Sequence, residues 1–301
     1  MITERVAYVN GEIIPESGAK ISIHDRGFLQ GYSVFDTTRT FGHRIFKLDE
    51  HLDRFFKSLK YARLDPLIDK SELSRITMEI VNTNLPLISD DDDYWVTHRV
   101  SRGISTPEGD YPTVIVESVP LPFSARAKYY SEGMPVVVPS VRRTPPESLS
   151  PRAKIQNYAN LVQAEFEAKE RNPESWPILL DMNGNLCEGP GSNFFIVRDG
   201  AVVTPREQYV LAGISRSTTL ELAAELGIET TEANIDLYAA YTADEAFVTS
   251  TSFCIVPVGT VIGRQVGEGD IPGKITKRLQ DAFIDSIGFD YVNQYLQHLS
   301  A

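Results

Sequence analysis

Four short stretches of the chain carry side chains that could do chemistry. In SPRAKIQNYANLVQAEFEAK (150–169), Lys154 precedes Tyr158, Leu161, Val162 and Phe166, which recur at helical spacing. Lys154 lies one turn before Tyr158 and projects from the same apolar face if the helix begins that early. Such a lysine is either a stem packed on the surface with its ammonium in water, or an amine held in a pocket for imine chemistry. In LCEGPGSNFF (186–195), Glu188 enters a Gly-Pro-Gly turn between two strands. In LAGISRS (211–217), a glycine precedes a helix start, whose free N–H groups form an anion cradle with Ser215 and Ser217 close by. TSTS (249–252) sets hydroxyls at a strand end. The last three also have plain structural readings: a chain reversal, a helix start and hydroxyls bonded to backbone.

One cofactor would use all four. Pyridoxal 5'-phosphate needs a lysine imine, a phosphate cradle, apolar contacts on its ring and a group that sets the protonation of the ring nitrogen. A carboxylate near that nitrogen keeps it protonated, so the ring can accept a carbanion's electrons.

The rest of the composition narrows the setting. The chain has 301 residues, 42% hydrophobic and 23% charged, enough for one large or two moderate domains. A net charge of −12 argues against a nucleic-acid surface. Cys187 and Cys254, the only cysteines, make neither a disulfide framework nor a zinc site. No signal-like start and no bilayer-length apolar run point to a soluble, cytoplasmic protein without membrane contact or metal.

The elements that must position the four stretches alternate along the chain. VAYVNGEII (6–14) reads as two strands around Asn10-Gly11, and 32–41 as a strand. Helices follow at 49–64 and 70–84, the second with Ser71 as a possible cap. DDDD (90–93) reads as a solvated turn, followed by strands at 94–103 and 113–121 with ISTPEGDYP as a loop between them. After 122 the texture changes. Expected domains are 1–122, a connection at 123–132, and 133–301. Turns fall at Asn183-Gly184 and Asp199-Gly200, and a helix runs from about Ser215 to Leu226 with Thr218 and Glu221 at capping-box spacing. EAFVTSTSFCIVPV reads as one strand, and 273–285 as an amphipathic helix.

Several blocks in order, EHLDRF, AKIQNYANL, LCEGPGSNFFIVRDG, VLAGISR and FVTSTS, resemble the class IV (fold type IV) pyridoxal-phosphate aminotransferases. That family includes branched-chain, D-amino-acid and (R)-amine transaminases, with aminodeoxychorismate lyase as a non-transaminating relative. The resemblance runs from VNGEIIPE to ITKRLQDAF. It implies a two-domain α/β (α+β) fold with the cofactor between the domains, a homodimer, and ping-pong exchange between an amino acid or amine and a 2-oxo acid. It also implies roles. Lys154 matches the lysine that carries the cofactor and shuttles the Cα proton. Glu188 matches the carboxylate at the ring nitrogen, and Arg54 the phosphate-binding arginine. Ile214, Ser215, Thr251 and Ser252 match the phosphate cradle, Leu211 the residue packed on the ring, and Tyr158 the contact to the ring hydroxyl. Asn193 falls in a family motif and has a structural reading.

The substrate pocket is a mosaic. Trp95, Thr97, Arg99 and Ser101 share one strand face, and Phe35, Thr37 and Arg39 line the adjacent strand. Resembling branched-chain enzymes have an arginine where Thr97 stands, while Arg39 matches an arginine of that group. Arg99, with Arg26 from HDRGFLQG, is a candidate for a substrate carboxylate, and a surface ion pair is its rival role. The absence of an arginine at Thr97 favours D-amino acids or (R)-amines as donors. L-branched-chain amino acids with 2-oxoglutarate are the alternative, and an aminodeoxychorismate-lyase-like activity is a third.

Overall fold

A computed structural model of the protein describes residues 3–300. The chain up to Leu121, joined by Ala153–Asn157, forms one compact unit, and Pro122–Arg152 with Tyr158 onward forms another. Lys154 therefore belongs to the first unit, although the chain has by then entered the second.

The first unit is built on β1 (Val6–Val9), β2 (Glu12–Pro15), α1 (Arg26–Gln30), β3 (Ser33–Phe41), β4 (Arg44–Ile45), α2 (Leu48–Ala62), α3 (Lys70–Asn84), β5 (Tyr94–Thr106) and β6 (Gly109–Pro120). Its strands form one antiparallel sheet in the order β2-β1-β6-β5-β3-β4. Val34, Val100, Val114 and Val116 pack against Leu52, Phe55 and Leu59 of α2 and Leu73, Ile76 and Ile80 of α3 to make the core. Truncating a buried Phe55 to alanine would cost about 3–5 kcal/mol.

Three local expectations change in this unit. Asp69 rather than Ser71 caps α3, because the cap must be non-helical; Asp69 has φ −86°, ψ 171° and accepts the Glu72 N–H at 2.8 Å. The DDDD run is not all solvated. Asp93 is fully buried and accepts from Thr40 Oγ1 and from the N–H groups of Gly42 and His43. Four like residues hide this division, since burial is decided by the strand that follows. Finally, ISTPEGDYP is mostly hairpin arm. The register shifts between Ser101 and Ile104, where Gly103 has φ +63° and a Cβ would meet Tyr111 O at 1.8 Å.

The second unit contains α4 (Tyr129–Glu132), β7 (Met134–Val137), α5 (Ala159–Arg171), β8 (Trp176–Pro177), β9 (Glu188–Gly189), β10 (Ser192–Arg198), β11 (Ala201–Pro205), α6 (Ile214–Glu225), β12 (Thr230–Ala233), α7 (Leu237–Tyr241), β13 (Glu245–Ser250), β14 (Cys254–Val261), β15 (Arg264–Gln265), α8 (Lys274–Ile287) and α9 (Tyr291–Gln297). Its mixed sheet runs β12-β11-β10-β13-β14-β7-β8, with β9 on β10 and β15 on β14. The Asp199-Gly200 hairpin forms as expected, with φ +53° and +77°.

Helix α5 begins at Ala159, so Lys154 is not on it, and Phe166 is 58% exposed; the buried face is Leu161, Ala164 and Ala168. Thr218 and Glu221 fall inside α6, whose N-cap is Gly213, so they form no capping box. The stretch read as one strand is a hairpin: β13 ends at Ser250, and Ser250 Oγ accepts the N–H groups of Ser252 and Phe253 at 3.1 and 3.3 Å, which turns the chain. Among the described residues no helix is long and apolar enough to cross a membrane, and no cluster of three His, Cys, Asp or Glu could hold a metal.

Candidate active site

In the first unit the candidate amine is fixed by its own backbone. Residues 154–156 pair with β3: Phe35 N–H donates to Lys154 O at 3.0 Å, Gln156 N–H to Ser33 O at 2.9 Å, and Ile155 bridges Val34. This pairing is what keeps the segment out of α5. On the other side, Lys154 N–H donates to Ser58 Oγ, 3.1 Å away, and Ser58 Oγ–H donates to Arg54 O. Ile155 points into the core, so Lys154 points the opposite way, and its Nζ stands 4.4 Å from the centre of the Phe35 ring.

Beneath β3, on the helix side, Asp36 is completely buried and binds Arg54 through two bonds of 2.8 Å and His51 Nδ1 through one of 2.7 Å. Burial alone would raise the Asp36 pKa, but Arg54 and His51 hold it well below the carboxylate range. Burial lowers the His51 pKa against the Asp36 bond, so the ring is neutral at pH 7, with Nδ1–H on Asp36 and no partner for Nε2. Arg54 is thus a cation locked in place by an anion, as a phosphate ligand needs to be.

The face of the sheet that carries Lys154 also carries the proposed substrate residues. Cross-strand register puts Phe35 opposite Arg99, Thr37 opposite Thr97, and Arg39 opposite Trp95. Thr37 and Thr97 hydroxyls are 3.1 Å apart. Arg39 is fully buried: its Nε donates to Thr40 O, its guanidinium lies 3.6 Å from Asp93 and 4.1 Å from the Phe41 ring centre. It braces this wall from within rather than lining it. Arg99 pairs with Glu117 of β6 and lines a cavity of about 290 Å³ with Ser33, Ser101, Thr113, Ile115 and Gln156. Arg26 heads α1, near Asp110, and is not among the residues lining that cavity.

The second unit holds the candidate carboxylate and the candidate anion cradle. Glu188 is buried; one oxygen accepts from Arg143 Nε at 3.0 Å, the other from Leu211 N–H at 2.8 Å. Asn193, next to Glu188 across β9–β10, donates to Leu211 O, which holds the extended segment 211–213 leading into α6. A Cβ on Gly213 would lie 2.2 Å from Asn193 Oδ1, so any other residue would have to displace that side chain. Helix α6 has no side-chain cap, leaving the N–H groups of its first turn for a ligand. Thr249, opposite Asn193, is fully buried and its hydroxyl has no partner. Tyr158 packs with Leu161 and Leu179 at the head of α5. Cys187 beside Glu188 is no nucleophile: burial, with Asp181 and Glu188 nearby, pushes its thiol up to about 12.

These groups fit pyridoxal phosphate on chemical grounds. There is an amine on a rigid backbone, a buried carboxylate bonded to an arginine, an uncapped helix start behind a glycine, and an unpaired buried hydroxyl beside it. Residue types and spacing did not reveal Arg143, Asp36 or His51. The HLDRF block carries the only local signal for the last, since His51 and Arg54 share a helix face.

The class IV amino-transferase family model matches residues 33–261. A putative branched-chain-amino-acid aminotransferase of Methanocaldococcus jannaschii is 35% identical over 284 residues, 92% of this chain and 95% of that one. The Escherichia coli K12 branched-chain-amino-acid aminotransferase is 33% identical over 298 residues, 94% of each chain. The crystal structure of the E. coli branched-chain enzyme superposes with a TM-score of 0.87 at 30% identity over 94% of both chains. That of the T.th. branched-chain enzyme complexed with N-(5'-phosphopyridoxyl)-L-glutamate gives 0.84 at 26% over 95% of both. D-amino-acid or (R)-amine donors, expected from Thr97, find no support in these relatives, and the branched-chain alternative fits them better. These likenesses place the chain among the class IV aminotransferases, which act with pyridoxal phosphate.

Proposed function

We propose that the protein is a branched-chain L-amino-acid aminotransferase that uses 2-oxoglutarate as acceptor. The observation that carries this is the likeness, over more than nine-tenths of both chains, to the E. coli branched-chain enzyme and to the M. jannaschii protein named as a putative one. The wall beside Lys154 agrees: the Phe35 ring, the paired Thr37 and Thr97 and Ile115 offer a branched aliphatic side chain a largely uncharged surface.

When bound, pyridoxal phosphate supplies an aldehyde for the donor's amino group and a ring that accepts the electrons left when the Cα proton departs. The chain's residues do the rest. Ile214, Ser215, Thr251, Ser252 and Arg54 would bind the phosphate, and Leu211 and Tyr158 would contact the ring. Glu188, bonded to Arg143 Nε, would hold a proton on the ring nitrogen. Lys154 Nζ would anchor the cofactor, then take the proton from donor Cα and deliver it to the cofactor's C4′, on the other side of the amino nitrogen. Its backbone is clamped while the four-carbon stem swings, which suits a base serving two positions.

Arg99 would take the distal carboxylate of a dicarboxylic acceptor, exchanging Glu117 for it. An Arg99→Ala variant whose KM for 2-oxoglutarate is unchanged excludes this role. A homodimer is proposed as well, supported by the exposed apolar run of Ile23, Phe28 and Leu29, and light scattering tests it.

The donor assignment is tested by mixing holoenzyme with L-leucine, D-alanine or (R)-1-phenylethylamine and following loss of the cofactor's visible absorbance. Fast reaction with L-leucine alone is expected. A faster reaction with either of the others refutes the assignment.

A further inference from the structure

The second unit holds a cavity that the proposed reaction does not use. It measures about 240 Å³ and is lined by residues 143–147, 181–183, Cys187 and Tyr209. None of the residues proposed for the cofactor lines it. Its link to them is Arg143, whose Nε donates to Glu188 at 3.0 Å.

The lining segments are fixed by their own backbone. Arg143 N–H donates to Leu180 O at 2.9 Å, which ties 143–147 to the turn that follows Leu180. Thr144 N–H donates to Asn160 Oδ1 and Asn160 Nδ2 to Arg142 O, so α5 anchors the same segment. Ser148 and Leu149 N–H groups both donate to Pro145 O and close a turn after the two prolines. Asp181 is buried and accepts the N–H groups of Asn183 and Asn185 and the Asn185 side-chain amide, which holds the Asn183-Gly184 turn from inside. A cavity built this way exists before a ligand arrives, which spares the cost of ordering it.

The side chains, by contrast, leave groups open. Among the described residues, the terminal amino groups of Arg143 and the hydroxyls of Thr144 and Tyr209 have no hydrogen-bond partner, and the Glu147 carboxyl has neither a hydrogen bond nor an ion pair. Pro145, Pro146 and Met182 add apolar surface. The lining carries one basic group, Arg143, against two acidic ones, Asp181 and Glu147, so a multiply charged anion such as phosphate meets repulsion there. A zwitterion does not. Its carboxylate takes two parallel N–H···O bonds from the terminal amino groups of Arg143, its ammonium faces Glu147, and an aliphatic side chain lies on the prolines and Met182. We infer that this cavity is a second site for a free α-amino acid with an aliphatic side chain, apart from the place where amines react, and that its occupancy is felt at Glu188 through the shared guanidinium. The site stands without the proposed reaction; its effect rests on the reading of Glu188 as the partner of the ring nitrogen.

The test uses holoenzyme reduced with borohydride, which fixes the cofactor to the chain and stops amines from reacting with it. Calorimetric titration compares L-leucine with 4-methylpentanoate, which lacks the ammonium, and L-leucinamide, which lacks the carboxylate. L-leucine should bind at least about tenfold more tightly than either, as charge-assisted bonds at both ends imply. Thr144→Val combined with Tyr209→Phe should weaken L-leucine at least about tenfold with cofactor content unchanged. Glu147→Gln should remove most of the preference over 4-methylpentanoate. L-leucine affinity within threefold of wild type in the double variant overturns the proposal, and so does a wild type that binds no L-leucine or binds 4-methylpentanoate as tightly. If the double variant fails to fold, the Glu147→Gln ratio decides, and an unchanged ratio overturns the site. The effect is read separately: saturating L-leucine should shift the absorbance of the reduced cofactor in wild type and leave it unmoved in Glu188→Gln. Binding without a shift, or a shift that persists in Glu188→Gln, overturns the coupling. The half-reaction rate of unreduced Glu188→Gln tests the ring-nitrogen reading by itself and so tells the two failures apart.

Discussion

His98 makes a quantitative test of how the core behind Lys154 is built. It lies on β5 opposite Asp36 and is fully buried. Thr77 donates its only hydroxyl proton to Leu73 O at 2.6 Å, so His98 Nε2, 2.8 Å away, must donate to Thr77. Nδ1 is then a lone pair without a hydrogen-bond partner. Protonating it would bury a charge, and burial accordingly pushes the pKa from 6.5 down to about 4, against the attraction of Asp36. A base depressed in this way binds fewer protons folded than unfolded. Its neutral form therefore gives full stability above pH 6.5, and stability is lost as pH falls from there toward 4. At about 1.4 kcal/mol per pH unit, the loss across that window is about 3 kcal/mol. Urea unfolding of wild type and His98→Gln from pH 7.5 to 4, at one protein concentration, isolates it. Glutamine keeps an N–H for Thr77 but does not titrate, so the variant should lack the histidine part of the acid slope. Parallel curves for the two proteins would show that His98 is not held neutral by its surroundings.

Three further outcomes are expected. Asp36→Asn leaves Arg54 buried without its anion, which should cost about 3–5 kcal/mol in urea unfolding and release bound cofactor, read from visible absorbance. Because the Asp36 pKa is depressed, its contribution is present above its ordinary 3.8 and disappears as pH falls below that, so the variant should lack this last acid step. Glu188→Gln should slow the L-leucine half-reaction about 100- to 1000-fold with the fold retained, and a rate within threefold of wild type would remove Glu188 from the ring nitrogen. Gly213→Ala should weaken cofactor binding at least about tenfold, since its Cβ meets Asn193 Oδ1 at 2.2 Å; adding Asn193→Ala should recover part of the loss in a fluorescence titration.

What the sequence discloses is what local physics controls. Asn10-Gly11 and Asp199-Gly200 are readable because a two-residue hairpin needs positive φ at both positions, and few residue pairs accept that. Lys70–Asn84 is readable because its apolar period is sustained through the element. The same period misleads at Lys154: the face continues backward on paper, but pairing with Ser33–Phe35, more than a hundred residues earlier, claims the backbone first. Periodicity has no access to such a partner. The site divides in the same way. Lys154 and Glu188 can be nominated from the sequence since the chemistry dictates the residue type. Asp36 and Arg143 bind other candidate side chains, and an aspartate or arginine that does so looks like any surface charge until its neighbours are known.

The supporting residues of the first unit are nonetheless economical. His51, Arg54 and Ser58 occupy positions i, i+3 and i+7 of α2, one face of the helix. His51 and Arg54 bind Asp36 on β3, and Ser58 accepts the Lys154 amide proton while donating to Arg54 O. One helix face therefore fixes a proposed phosphate-binding cation and the backbone of the proposed base. The Phe35 ring under Nζ belongs to the residue just before Asp36, so strand alternation puts the ring on one side of the sheet and the anion on the other. A shift of β3 by one residue would exchange these sides, burying Phe35 against the helix and turning Asp36 toward the amine. The buried Asp36–Arg54–His51 cluster makes that slip costly, because it would leave a guanidinium in the core without its anion. On this reasoning the cluster serves the reaction by registering the strand that carries the amine's surroundings, in addition to holding Arg54.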